Sequence, residues 1–403
     1  HKKVLGLAEM MNFVGTVNGD PQVVEKIVAS QAHHKKIDGH APGLSGNDLN
    51  AYIAAGVYSD HECSDLNDAL AKLERGQFIM IREGTAARNL EALVPLLCSK
   101  YVDRCMFCTD DKHPNDLLEK GHIDYIVKKA ISLGVDPIIA VKAACHHASR
   151  YFLLNNRGAI APGYLADFVI IDNFENFDIE MVYKRGELMY DGQLRDFPTP
   201  EIDPYLVNRA HDTFHLSKLT ADDFKDGRPH AIIGLVPGEI ISEDAGYIDH
   251  IDVEYDILKV AVIERHKNTH HIGLGYIKGY GLKSGAVATS ISHDSHNIIV
   301  VGTSEEEMAA AANRIVENHG GITVMENGKV LGEVTLAIAG IMSDDPLVMV
   351  NSALESAKDE AFRLGVSRDI DPFMTLSFMA LPVIPTLRIT TRGVFDVNTQ
   401  RYI

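Results

Sequence analysis

Cysteine is scarce in this chain, cationic side chains are outnumbered and no long apolar run occurs. Each shortage removes a class of protein. Five cysteines in 403 residues are an odd and sparse number, which argues against a disulfide-stapled secreted scaffold and favours a reducing cytoplasm. Lys and Arg total 38 against 56 Asp and Glu, a formal net charge of −18. A nucleic-acid partner, which calls for a basic surface, is therefore not expected. No stretch approaches the roughly 20 apolar residues needed to cross a bilayer, and His1-Lys2-Lys3-Val4 lacks the pattern of a signal peptide. Repeats of solenoid period are absent as well. With 46% hydrophobic and 23% charged residues, the chain can bury more than one core and should divide into two or three domains.

What is present is a recurring pattern. Metal-ligand residue types close short apolar runs at Glu9, His40, His61 and Asp110, and a helix-like segment follows each. Val4 to Ala8 is an apolar run ending at Glu9. Asp20-Pro21 then supplies a cap and a first-turn proline to a helix carrying Val23, Val24, Ile27 and Val28. Ile37 leads into His40, Ser45 and Asp48 form a capping-box pattern, Leu49, Tyr52 and Ile53 repeat at helical spacing, and Gly56 ends that helix. A strand from Val57 ends at Ser59-Asp60-His61-Glu62. Ser64 is expected to cap the next helix, which carries Leu66, Ala69, Leu70 and Leu73. Phe78 to Ile81 is a strand ending in Arg82-Glu83-Gly84, a helix is predicted over Ala86 to Leu97, and Met106-Phe107 leads to Thr109-Asp110-Asp111. Strand-to-helix units in succession predict a parallel sheet with right-handed crossovers. The carboxyl ends of such strands are where a (β/α) barrel builds its active site, so ligands distant in sequence converge there.

Imidazole nitrogens and carboxylates are what a borderline divalent metal takes, and a shared carboxylate can bridge two ions. A single His or Glu at a strand end is ordinarily a surface or hydrogen-bonded group. Recurrence in register makes a metal-dependent site the stronger reading. Other pairs carry less. Cys105 and Cys108 have redox or zinc spacing but lie inside a predicted strand, where the two thiols face different ways, and read as core. His146-His147 sits in a helix of apolar periodicity and reads as packed, while His33-His34 near a helix end suits the dipole and nothing more.

Gly6-Leu7-Ala8-Glu9-Met10-Met11-Asn12, His40-Ala41-Pro42-Gly43-Leu44-Ser45-Gly46, Ser59-Asp60-His61-Glu62, Ile81-Arg82-Glu83-Gly84 and Cys108-Thr109-Asp110-Asp111 resemble the signature stretches of bacterial adenine deaminases, in the amidohydrolase superfamily. The stretch from Gly158 to Asp167 is similar to the segment by which many amidohydrolases return to a small β-domain. Ala261 to His266, His293-Asp294-Ser295-His296-Asn297 and Phe373 to Phe378 resemble the carboxyl-terminal domain peculiar to adenine deaminases. The resemblance runs along essentially the whole chain. It implies an α/β fold: residues 1–155 as the later portion of a (β/α) barrel of metal-dependent hydrolase type, incomplete at its N-terminus, 156–203 as a β-domain return segment and linker, and 204–403 as an α+β carboxyl-terminal domain.

The reaction implied by the resemblance is hydrolytic deamination of adenine to hypoxanthine and ammonia, a step of purine salvage. The implied cofactor is a divalent metal in a binuclear site, Mn2+ or Fe2+, with Glu9 as the bridging carboxylate, His40 and His61 on the more exposed ion and Asp110 on the other. Asp110 is also the expected proton shuttle. The purine N1 needs a proton or hydrogen bond whose donor is unassigned, because His40 is followed by Ala41-Pro42-Gly43 and not by an HxxE glutamate. Glu62, Glu83 and His113 are the candidates. Ser45, Arg82, His293, Asp294 and His296 are expected to bind substrate or form a lid. The His293 to Asn297 stretch also reads as a structural polar network between two strands, and both accounts stand. A cytoplasmic homodimer acting on a small molecule is the expected form.

The family places a His-x-His pair at the end of its first barrel strand, ahead of the region matched by Glu9, whereas this chain opens at the fourth. A barrel closes with eight strands and about five can be counted here. The chain thus reads as a fragment, an incomplete gene product or one piece of a split enzyme, expected to hold metal weakly or not at all by itself. Two alternatives follow: another amidohydrolase reaction on a cyclic amide or N-acyl bond, or a non-catalytic fragment that acts as an oligomerising or regulatory subunit.

Beyond Asp110, helices are predicted over Ile123 to Leu133 and from Asp136-Pro137 to Phe152. Phe168 to Asp172 and Met181 to Tyr190 read as strands, the second broken by a turn at Lys184-Arg185-Gly186, and Pro198 to Pro204 as a linker. Strands are expected over Ile232 to Ile241, Val260 to Glu264, Gly285 to Ser292 and Ile298 to Val301. Ser304 and Glu307 form a capping box, Asn327-Gly328 a hairpin turn, and Asp345-Pro346 starts a helix that Gly365 stops. Gly273-Leu274-Gly275, with Gly279 and Gly281, lacks G-x-G-x-x-G spacing and is expected to form a flexible loop near the active site.

Overall fold

Alternation of short apolar strands with capped helices builds the first half of the chain. The structure, a computed structural model, describes residues 3–85, 87–98, 100–196, 200–237 and 239–403. Ala86 and, of the predicted linker, Pro198 and Thr199 lie outside the described residues. Two compact units divide the chain, His1–Thr199 and Pro200–Ile403.

In the first unit β1 (Gly6–Met10) pairs in parallel with β2 (Lys36–Gly39), while β3 (Ser59–Asp60), β4 (Phe78–Arg82) and β5 (Cys105–Cys108) form a second parallel sheet in that order. Parallel neighbours require crossovers. These are provided by α1 (Phe13–Asn18), α2 (Pro21–Ala32), α3 (Gly46–Ala54), α4 (Leu66–Glu74) and α5 (Leu90–Leu93). Then follow α6 (Pro114–Glu119), α7 (Ile123–Ser132), α8 (Pro137–Lys142) and α9 (Ala148–Tyr151), and a small antiparallel sheet of β6 (Phe168–Ile171), β7 (Ile179–Lys184) and β8 (Glu187–Tyr190). Period-two alternation sorts the strand side chains. Ile79, Ile81, Cys105 and Phe107 pack with Ala69, Leu73, Leu90, Leu93 and Ile126 from the helices, whereas Met80 and Met106 pack on the other side with Tyr151.

Several local expectations need correction. Asp65, not Ser64, caps α4, accepting hydrogen bonds from the Asn67 and Asp68 amides, because it stands one residue nearer the first helical turn. Ser45 occupies the position before α3 but makes no side-chain cap bond. The helix predicted to Leu97 stops at Leu93 and tightens into a 3-10 turn over Val94–Cys98, since Pro95 has no N–H to give. The helix from Pro137 widens into a π turn at Ala143–His147, and there the His147 ring nitrogen Nδ1 meets the Cys105 carbonyl at 2.8 Å.

The second unit opens with α10 (Pro204–His211). Its main sheet contains β9 (His230–Leu235), β10 (Ser242–Ile248), β11 (Ile257–Ile263), β12 (Ile272–Lys278), β13 (Ala286–Thr289), β14 (Ile298–Gly302), β15 (Gly321–Glu326) and β16 (Lys329–Thr335) in the order β10-β9-β12-β11-β14-β13-β15-β16. Among the described residues, only β9 and β12 pair in parallel in this sheet. Both faces are buried. Ala261, Ile263, Ile298 and Val300 face α11 (Glu305–Glu317), while Val260, Val262, Ile299 and Val301 face α12 (Leu347–Arg363) and α13 (Pro372–Met379). A last hairpin and edge, β17 (Leu387–Thr390), β18 (Gly393–Asp396) and β19 (Arg401–Tyr402), packs against that second face through Leu387, Ile389 and Val394.

The flexible loop expected at Gly273-Leu274-Gly275 is instead strand β12. Its glycines serve proximity: a Cβ at Gly273 would lie 1.8 Å from the Thr390 carbonyl oxygen, and one at Gly275 would lie 2.7 Å from Val394. The strand expected to run to Ile241 ends at Leu235, ahead of Pro237, which cannot donate to a ladder.

Candidate metal centre

The carboxyl ends of β1 to β5 carry one polar cluster. Glu9 is the penultimate residue of β1, His40 follows β2, His61 and Glu62 follow β3, Arg82 ends β4, and Asp110 lies just beyond β5. Strand alternation selects which side chains enter it. Arg82 shares the face of Met80, away from the helices, whereas Glu83 turns to the helix side, where it is 2% exposed and meets Lys129 of α7 at 2.9 Å.

His61 Nε2 lies 3.1 Å from Glu9 Oε2 and 3.2 Å from Glu62 Oε1. His40 Nδ1 lies 3.6 Å from Glu9 and 3.5 Å from Glu62. The two imidazole rings stand edge to face, 5.6 Å apart. Ligand atoms of Glu9, His40 and His61 all fall within 4.8 Å of one another, and so do those of His61, Glu62 and Asp110. Arg82 Nη1 bridges the second group, at 2.5 Å from Glu62 Oε1 and 2.6 Å from Asp110 Oδ2, with Nη2 at 3.1 Å from Glu62 Oε2.

The electrostatics follow from this packing. Burial pulls the His61 imidazole down, but the hydrogen bond it gives to Glu62 and the charges of Glu9, Glu62 and Asp110 outweigh it, and its pKa rises to about 9. Burial dominates at His40, whose pKa is lowered. At Glu62 burial is overcome by His61 and Arg82, which hold the carboxyl well below the ordinary range. An acid-rich pocket whose buried imidazoles have displaced titrations is a place for a cation.

Glu9, His40 and His61 fit a divalent ion. They offer one carboxylate and two imidazoles, the donor set of a borderline metal, and three protein ligands leave the open position that catalytic sites keep. His40 Nδ1 is buried without a hydrogen-bond partner, so a lone pair aimed at this space is otherwise unused.

Behind the ligands stand residues that periodicity alone does not single out. The Tyr52 hydroxyl accepts from the His40 amide at 2.9 Å and donates to the Met10 carbonyl at 2.7 Å. Lys72 and Asp60, both with fully buried side chains, pair at 3.0 Å. Asn89 gives its side-chain N–H to the His61 and Cys63 carbonyls, while its Oδ1 accepts from the Arg82 amide at 2.6 Å. Tyr52 reads in the sequence as one more apolar helical position, and Lys72 as a surface partner of Asp68 at i,i+4 spacing. The one available signal is that Lys72 falls in the buried row of Ala69 and Leu73.

The remaining predicted residues have local surroundings of their own. Ser45 is exposed at the start of α3. His113 begins α6, with its amide given to Thr85 Oγ1 at 2.9 Å. His293, Asp294 and His296 belong to the second unit, where His293 Nδ1 meets Asp294 at 2.5 Å and the His293 ring stacks on Phe378 at 5.7 Å. The His296 carbonyl accepts from Arg265 Nε at 2.5 Å, and Arg265 also holds the Thr213 and Ala339 carbonyls. Burial of that guanidinium lowers its pKa to about 10.

Residues 1–189 match the amidohydrolase family and residues 239–401 the adenine deaminase C-terminal domain. A curated adenine deaminase of Desulfatibacillum aliphaticivorans is 44% identical over 416 residues, spanning 100% of this chain and 72% of that protein. The chain belongs to the adenine deaminase family. Two more members give the same picture. That of Dehalococcoides mccartyi is 44% identical over 410 residues, 99% of this chain and 71% of its own length, and that of Brucella melitensis 41% identical over 415 residues, 100% and 70%. In adenine deaminase terms, the parallel β/α unit is the barrel portion of a metal-dependent hydrolase and the second unit holds the family's own C-terminal domain. Superfamily members use divalent metals, consistent with the donor set at Glu9, His40 and His61.

Proposed function

We propose that this member of the adenine deaminase family converts adenine and water to hypoxanthine and ammonia. The observation that carries the proposal is the convergence of Glu9, His40 and His61 at the carboxyl ends of parallel strands, within 4.8 Å, in a chain whose relatives named adenine deaminase align along its whole length. Glu9, His40 and His61 would hold a divalent cation, and the chemistry it would supply is a water pKa lowered toward neutrality for attack at C6 of the purine.

The chain's own residues do the rest. Asp110, oriented by Arg82, accepts a proton from the attacking water and passes it to the departing amine. Of the candidates for the N1 side, Glu62 lies inside the cluster, beside both imidazoles, where its carboxylate, held ionised by His61 and Arg82, would take up a proton before giving it to N1; Glu83 is committed to Lys129 behind the strand. His293, Asp294 and His296 are the residues assigned to selectivity for adenine, a role supported by their place in the domain peculiar to this family. We further infer two ions, Mn2+ or Fe2+: Glu9, His40 and His61 would hold one, Asp110 would help to hold the other, and Glu9 is the carboxylate the two would share. Arg82 Nη1 stands beside the second group, where it bridges Glu62 and Asp110. A cytoplasmic homodimer completes the proposal; the five free cysteines support only its reducing compartment.

The test is ammonia release by the complete gene product, supplied with Mn2+ or Fe2+, from adenine beside a panel of cyclic amides and N-acyl amino acids. Hypoxanthine from adenine, with little turnover of the panel, is expected. Turnover of the panel with none of adenine overturns the proposal. Metal analysis and light scattering on the same sample check the two ions and the dimer.

A further inference from the structure

We propose that Tyr52, Asp60 and Lys72 are positioning residues that set the spacing of Glu9, His40 and His61, an inference that rests on the divalent-cation reading of that donor set. The sheet itself leaves this task open. β1 pairs with β2 and β3 with β4, but no backbone ladder joins β2 to β3 among the described residues. Since His40 follows β2 and His61 follows β3, the distance between the imidazoles is not fixed by strand pairing. Side chains span the gap instead.

The links run without a break. Tyr52 OH donates to the carbonyl of Met10, the residue beside Glu9, and accepts from the His40 amide. The Ala41 amide donates to Asp60 Oδ1 at 2.8 Å, and Lys72 Nζ donates both to the Ala41 carbonyl at 2.7 Å and to Asp60 Oδ2 at 3.0 Å. Asp60 Oδ2 then accepts from the Glu62 amide at 3.1 Å, next to His61. Each ligand is thereby gripped through its own backbone or its neighbour's. Burying an ion pair is a poor way to gain stability, because desolvation can exceed the attraction and an apolar pair of similar volume does as well. What the Lys72–Asp60 pair offers is direction: two fixed carboxylate oxygens and one ammonium aimed at backbone groups on both sides of the gap. Such outer partners of metal ligands tune affinity by orienting the ligands.

The experiment measures Mn2+ affinity of the complete gene product by competition with a chromophoric chelator, alongside kcat and KM for adenine and a thermal melt. The variants are Tyr52→Phe, which removes one hydroxyl and keeps the ring, Lys72→Met, and Ile126→Ala, which truncates a fully buried residue of α7 in the core on the helix side of the strands. Tyr52→Phe and Lys72→Met are expected to bind Mn2+ about 10- to 100-fold more weakly and to lose kcat with KM little changed. Ile126→Ala is expected to melt lower while keeping the parent affinity. Parent-like affinity in Tyr52→Phe overturns the inference even if Lys72→Met does not fold. An equal affinity loss in Ile126→Ala also overturns it, by reducing the effect to general destabilisation. A parent protein that takes no Mn2+ refutes the donor-set reading itself, and this inference falls with it.

Discussion

Replacing Arg82 by Gln removes the guanidinium that bridges Glu62 and Asp110, and the size of the effect can be worked from its contacts. Arg82 gives two hydrogen bonds to Glu62 and one to Asp110 from a side chain that is 9% exposed. Taking away one partner of a buried ion pair costs about 3–5 kcal/mol, chiefly because the other charge is left uncompensated. The loss falls on Glu62, whose side chain is 14% exposed; Asp110, at 37%, is screened by water. The lower end, about 3 kcal/mol, is therefore expected in metal-free protein. For a unit of roughly 150–250 residues each kcal/mol moves Tm by about 2–4 °C, so Arg82→Gln should lower the melting of the first unit by roughly 6–12 °C. The assay is differential scanning calorimetry of parent and variant after dialysis against chelator at neutral pH. A shift below about 2 °C would show that Glu62 and Asp110 find other compensation and that the guanidinium bridge does not hold them.

Asp110→Asn should keep the fold and much of the metal while lowering kcat about 100-fold or more with a smaller change in KM, the signature of a lost proton shuttle; steady-state kinetics within a few-fold of the parent would route the proton elsewhere. The double change His293→Ala with His296→Ala should lower kcat/KM for adenine while metal content stays at the parent level, and unchanged kinetics would leave that loop as a fold-stabilising network. Asp116 supplies a pH test. Burial would raise its carboxyl, but hydrogen bonds from Lys120 and Thr85 hold it below the usual 3.8. A depressed folded pKa contributes stability that is present above the unfolded value and lost as pH falls through the folded one. Asp116→Ala should thus cost about 1.5–3 kcal/mol at pH 7 by urea unfolding, and the difference from parent should narrow at about pH 3.5; a difference that grows there contradicts the assignment.

The cluster of candidate ligands was legible because each stands where an apolar run stops, and in parallel α/β architecture that position has one spatial meaning. Glu9, His40, His61 and Asp110 needed no tertiary information beyond that rule. The struts behind them did. Lys72 reaches the Ala41 carbonyl across 31 positions and Tyr52 the Met10 carbonyl across 42, contacts that exist only once the strands have assembled. Alternation also carried more than was drawn from it: had Ile79 and Ile81 been assigned to the helix side, Glu83 would have followed them there and left the list of proton donors. β12 was hidden for a different reason. Its glycines read as looseness, whereas they admit the backbone of β17 and β18 at a distance no side chain allows. Neighbouring residues with similar capping chemistry, Ser64 and Asp65, are separated by one position, which local pattern does not resolve.

The most direct test of the central claim is equilibrium dialysis of Mn2+ against the complete gene product and its His40→Ala and His61→Ala variants, with ammonia release from adenine measured on the same samples. Loss of bound metal and of turnover together in both variants, with the fold retained by circular dichroism, is the predicted result. Full metal occupancy with parent-like ammonia release in either variant would contradict the assignment of Glu9, His40 and His61 as the metal centre.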